Sequence, residues 1–153
     1  MNEHPLDFDH QVGCENFASA YMQAATAQNQ AAAACMLAAT ANMQASTANK
    51  HVRAVNRDFN AADNHAFEVR SATWRKDSPY RQATAAYREA AIADKHATAA
   101  KAAAARKLSD AADREAAAAT EQAFEARRHA AQLANHVSKS FNTIFSGKRA
   151  RLL

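Results

Sequence analysis

Counting along the chain from Phe17 in alternating steps of three and four lands on Phe17, Ala20, Ala24, Ala27, Ala31, Ala34, Ala38, Ala41, Ala45, Ala48, Val52, Val55, Phe59, Ala62, Ala66 and Val69, sixteen apolar positions in succession. Alanine is so common here that many matches come free. The stretch 50–70 discriminates: most of its residues are polar or charged, yet Val52, Val55, Phe59, Ala62, Ala66 and Val69 keep the step. A sustained 3.5-residue repeat holds one stripe of a helix against a partner in a left-handed supercoil. A second stripe reads Tyr80, Ala83, Ala86, Ala90, Ala93, Ala97, Ala100, Ala104, then Leu108, Ala112 and Ala116, and on through Ala119, Ala123, Ala126, Ala130, Leu133, Val137, Phe141 and Ile144. Its three consecutive steps of four between Ala104 and Ala116 predict a stutter that locally unwinds the supercoil.

The stripes are separated by "WRKDSPY". Pro79 suits the first turn of a helix with Ser78 as its N-cap, and the residue before a proline is pushed out of helical geometry. The pattern therefore predicts an all-α chain: a leader over 1–14, helices over about 15–75 and 79–145, a break at 76–78 and a basic tail over 146–153. Each helix would be roughly 90–100 Å long at 1.5 Å per residue. Near-equal helices joined by a short turn predict an antiparallel, coiled-coil-like hairpin that pairs residue i with about 154 − i, so that Phe17 meets Val137, Tyr21 meets Leu133, and Val52 and Val55 meet Ala102 and Ala99. The alternative is one rod kinked at Pro79.

Composition sharpens this picture. The 153 residues include 44 alanines against 2 glycines and 2 prolines, so helix is favoured nearly everywhere and loops are starved of their usual residues. Valine and isoleucine number seven together, too few for a sheet. Residues 1–80 carry six Lys/Arg against eight Asp/Glu (−2) and 81–153 carry thirteen against seven (+6), which concentrates the basic excess in the second half. Cys14 and Cys35 form no CxxC and follow no secretory leader, so reduced thiols in a virion or intracellular setting are expected. "Val12-Gly13-Cys14" lacks the apolar run that a lipoprotein signal needs.

From Asn16 to Asn49 there is no charge at all. With Phe17 and Ala24 as heptad position a, position b reads Ala18, Ala25, Ala32, Ala39; position c reads Ser19, Thr26, Ala33, Thr40, Thr47; and position f, opposite the seam, reads Met22, Asn29, Met36, Met43. A solvated back face would carry Glu and Lys here, as it does from Lys50, Arg53 and Arg57 onward. The pattern predicts a helix built to be surrounded, with Met22, Ala31, Met36, Ala38, Ala39 and Met43 as the self-association residues, flexible methionines filling gaps between copies. A membrane fits only an oligomer that turns its seven Gln and Asn residues between 23 and 49 toward an interior. An ice-binding Ala/Thr face is a further alternative, though Thr26, Thr40, Thr47, Thr73, Thr84, Thr98 and Thr120 keep neither a seven- nor an eleven-residue ladder.

Candidate chemistry is sparse. "HPLDFDHQVGC" gathers His4, Asp7, Asp9, His10 and Cys14 without the spacing or companion ligands of a zinc motif. His51 and His65, and His129 and His136, lie too far apart in sequence to clamp a metal on one helix. No catalytic grouping emerges, so no enzyme and no cofactor are expected. Arg127, Arg128, Lys139, Lys148, Arg149 and Arg151 could meet phosphate, giving a basic nucleic-acid-binding helix as another alternative, but acidic residues interleave them as on an ordinary solvated face. Phe141, Ile144 and Phe145, the Ser146-Gly147 stop and the basic Lys148, Arg149 and Arg151 suit docking onto another structural protein of a larger assembly.

The texture of "QAATAQNQAAAACMLAATANMQASTANKHVRAVN", residues 23–56, resembles the Ala/Gln/Asn-rich helices of internal virion proteins, or ejection proteins, of short-tailed bacteriophages. The resemblance implies a small, all-helical, multicopy protein that lines an internal core or forms a conduit through the host envelope. The apolar, Gly-rich opening segment of the membrane-active members has no counterpart here. The sequence thus predicts a non-enzymatic, self-associating helical subunit of a larger particle, a phage virion component.

Overall fold

The structure, a computed structural model, describes residues 5–72 and 78–150, with side chains described over 10–72 and 78–147. It is all-α. Helix α1 runs Pro5–Ala72 and helix α2 runs Pro79–Ala150, and the two pack against each other as a helical hairpin, not as a kinked rod. The chain divides into two compact units, the first comprising Met1–Met36 with Asp113–Leu153 and the second Leu37–Ala112.

The helices reach further than the sequence pattern predicts. Residues 5–14, expected to be a leader, belong to α1, which starts on a proline whose fixed φ and missing N–H suit that position. At the other end Ser146 and Gly147 do not stop α2, which continues to Ala150. A single glycine costs a helix about 1 kcal/mol relative to alanine, not enough to end it where the backbone takes no left-handed turn. Ser78 is non-helical and its carbonyl accepts the Gln82 N–H at 3.1 Å, so α2 begins as Ser78-Pro79 predicts. The rest of the expected break, Lys76 and Asp77, lies outside the described residues.

All sixteen positions of the α1 stripe are buried or half-buried. In the first unit Ala20, Ala24 and Ala130 form a buried cluster, with Ala126 and Leu133 packed on it. The inward stripe of α2 in this unit is Ala116, Ala119, Ala123, Ala126, Ala130, Leu133, Val137, Ser140 and Ile144, matching expectation from Ala116 on except that Ser140 replaces Phe141. A Cβ on Gly13 would lie 3.5 Å from Val137, so Val137 faces a position one helical turn before the Phe17 that the 154 − i pairing gives. Tyr21 is correspondingly exposed and lies beside the Phe17 ring, with centroids 6.2 Å apart.

In the second unit the expected α2 stripe is wrong. Tyr80, Ala83, Ala86, Ala90, Ala93, Ala97, Ala100, Ala104 and Leu108 are all exposed. The face turned inward is Arg81, Thr84, Arg88, Ala91, Lys95, Thr98, Ala102, Ala105, Ser109 and Ala112, in alternating steps of three and four. The steps from Ser109 through Ala112 and Ala116 to Ala119 are three, four and three, so α2 has no stutter. A run of fours would rotate the stripe away from the unbroken heptads of α1. Polar residues hold the phase instead: Lys95 Nζ lies 4.4 Å from the centre of the Phe59 ring, Arg88 pairs with Asp63, and Ser109 donates to Asn42. Arg106, on the flank, donates from Nε and Nη2 to Asn49 Oδ1 at 3.0 and 2.5 Å.

Candidate self-association surface

Among the described residues, eleven of the thirteen buried apolar residues are alanines and two are valines, and no side chain is wholly enclosed. Many of the large apolar side chains lie outside. On α1 these include Met22 and Met36 in the first unit, 71% and 73% exposed, and Leu37 and Met43 in the second, where Met43 is 72% exposed. The cause is the heptad: with small residues at a and d the helix pair closes tightly, and position f, which holds all three methionines, points away from the partner.

The residues predicted for self-association therefore separate into two sets. Ala31 and Ala38, 9% and 5% exposed, are consumed by the intramolecular seam and are not part of an outer surface. Their heptad position a already indicates this. Met22, Met36, Met43 and Ala39 lie exposed on the back of α1, together with the small flanking residues Ala18, Ala25, Ala32, Thr26 and Thr40. Thr26 and Thr47 donate their hydroxyls to the carbonyls of Met22 and Met43 at 3.0 and 2.9 Å, which leaves their methyl groups as the outward apolar feature. Leu37 was not singled out from the sequence; its place at position g, beside the seam, is the signal that could have found it.

The docking residues near the end of α2 divide similarly. Phe141 and Phe145 are exposed and stack on one another with centroids 5.1 Å apart. Ile144 is half-buried and lines a cleft of about 550 Å³ with His10, Val12, Leu133, His136 and Val137. The His10 ring tilts against Phe141 at 5.8 Å, its Nε2 lies 3.7 Å from Cys14 Sγ, and its enclosed Nδ1 has no partner. The side chains of Lys148 and Arg149, and Arg151 as a whole, lie outside the described residues. So do the side chains of His4, Asp7 and Asp9, and among the described residues no three His, Cys, Asp or Glu side chains could together hold a metal. Of the basic residues on the same helix, Arg128 is within 3.9 Å of Glu125 one turn earlier. Among the described residues no helix is long and apolar enough to cross a membrane.

No family model, no curated protein and no solved structure matches the chain. The resemblance to phage internal virion proteins thus rests on residue texture alone.

Proposed function

We propose that this protein is a non-enzymatic structural subunit that self-associates through the uncharged back of α1 and takes its place in a larger particle, with an internal virion component as the setting its sequence texture suggests. The observation that carries the reading is the uncharged back of α1, where Met22, Met36 and Met43 are 71%, 73% and 72% exposed with no charged residue between Asn16 and Asn49. Large apolar side chains without charge around them are the composition that association covers and solvent does not favour. The Phe141 and Phe145 pair at the end of α2 would dock a second component.

Light scattering across protein concentration, with circular dichroism on the same samples, tests the reading. A discrete helical oligomer is expected, and a fully helical monomer at all concentrations overturns it. Ala39→Lys places a charge on the uncharged back. It should reduce assembly at least tenfold in apparent dissociation constant while leaving the helical signal unchanged, since an exposed lysine is a good helix former.

A further inference from the structure

We infer that the second unit binds a phosphate group in the cleft where the last turn of α1 meets the first turn of α2, held by Arg70 from one helix and Arg81 from the other. The inward stripe of α2 in this unit sets six polar side chains against the seam, and five of them are answered. Arg88 has Asp63, Lys95 has the Phe59 ring, Thr98 has Asp94, Ser109 has Asn42, and the Thr84 hydroxyl donates to the Tyr80 carbonyl. Arg81 is the exception. Half-buried at an inward position, its side chain makes no hydrogen bond, ion pair or ring contact among the described residues.

What stands beside it is a second cation. A cleft of about 280 Å³ is lined by Ala66, Arg70, Arg81, Gln82, Thr84 and Ala85, and none of these carries a carboxylate. The Arg70 side chain is also unpaired among the described residues. Two arginines lining one cleft repel each other until an anion stands between them. The first turn of α2 holds no acidic residue, so the positive end of that helix adds to the same field. A guanidinium fork matches phosphate oxygens two at a time, and the Gln82 side-chain amide can add a neutral donor. Thr84 adds none, because its proton is already committed to helix carbonyls at 3.0 Å. The cleft is smaller than the roughly 300–1,000 Å³ that drug-sized ligands occupy, which suits a compact oxyanion. Binding here needs no second copy, so a monomer has the site as fully as an assembly does.

The test is a titration of the full chain with inorganic phosphate at constant ionic strength, followed by calorimetry. One saturable site per chain is expected, with a dissociation constant of about 1 mM. Arg81→Gln and Arg70→Gln should each weaken it about tenfold with the helical signal unchanged. Arg88→Gln removes an equal charge from the same helix outside the cleft, and Thr84→Val removes an uninvolved hydroxyl, so both should leave binding intact. Equal weakening by Arg88→Gln would mean diffuse surface charge and overturns the site, as does the absence of saturable binding. Stability supplies a second readout. Arg81→Met should raise the urea midpoint in chloride, where it removes an unanswered cation, and the gain should shrink in phosphate, which stabilises only the chain that binds it. A gain of the same size in both salts overturns the proposal. Phenyl phosphate separates the sources of the group: tighter than inorganic phosphate, the ligand is an organic phosphate ester, and weaker, it is the free ion. An oligonucleotide that binds far more tightly than either, with affinity falling steeply as salt rises, replaces the single-group site with a nucleic-acid surface.

Discussion

The two units close the same kind of helix pair with different material. In the first unit small meets small, as alanines of α1 pack on alanines of α2 around Ala20, Ala24 and Ala130. In the second unit α1 supplies the bulk, with Val52, Val55, Phe59 and Val69, while α2 answers with Arg81, Thr84, Arg88, Lys95, Thr98 and Ser109 on its inward stripe. Long polar side chains can lie along an apolar surface and place their heads at its edge. Lys95 does this over Phe59, and Arg88 reaches Asp63 in the same way. An inward heptad position is therefore not the same thing as an apolar residue. Close approach holds one unit, and side-chain reach across an aromatic and aliphatic strip holds the other.

The sharpest way to break that contrast is Phe59→Ala. It removes the largest side chain of the second unit's seam and the ring beneath Lys95, and should cost about 2–3 kcal/mol, read from the urea midpoint. Hydrogen exchange should show the loss within 37–112, and an equal loss around Ala20 and Ala130 would mean that the units do not differ as described. Next is Ala24→Leu, which forces extra bulk into the alanine seam of the first unit and should cost about 2 kcal/mol. A neutral result would mean that close approach is not what holds this unit.

Gly13→Ala has the opposite sign. The added Cβ would meet Val137 at 3.5 Å, an ordinary contact, and alanine stiffens the unfolded chain, so a gain of about 0.5–1 kcal/mol in thermal or urea unfolding is expected. The smallest effect belongs to Asp63→Asn. Both side chains of its pair with Arg88 are more than a third exposed, so solvent screens the attraction. The loss should be a few tenths of a kcal/mol and should vanish at high salt.

The exposure of Met22, Met36, Met43 and Ala39 was legible because the heptad frame of α1 places them away from its seam, at positions f and b. The same frame puts Ala31 and Ala38 at position a, inside, where they are buried. Near the end of α2 the sequence indicated Phe141, Ile144 and Phe145 as docking residues, but that His10 and Cys14 lie on the same helix as Phe17, and that His10 reaches Phe141, depends on α1 beginning at Pro5.

The sequence alone determined the helical class, the start of α2 at Ser78-Pro79 and the complete α1 stripe. In that stripe valines and a phenylalanine among charges leave only one apolar face, so contrast fixes the phase. Along α2 between residues 81 and 112 alanine occurs on every face and contrast is lost. Following the alanines selects Ala93, Ala97, Ala100 and Ala104 and invents a stutter, leaving Leu108 inward where it is in fact 66% exposed. Only the packed pair decided which face turns in. A helix held against the unbroken heptads of α1 must keep their phase, even where that phase brings inward Arg88, Lys95, Thr98 and Ser109, each of which finds an aromatic ring, a carboxylate or an amide at the edge of the seam or on its own helix.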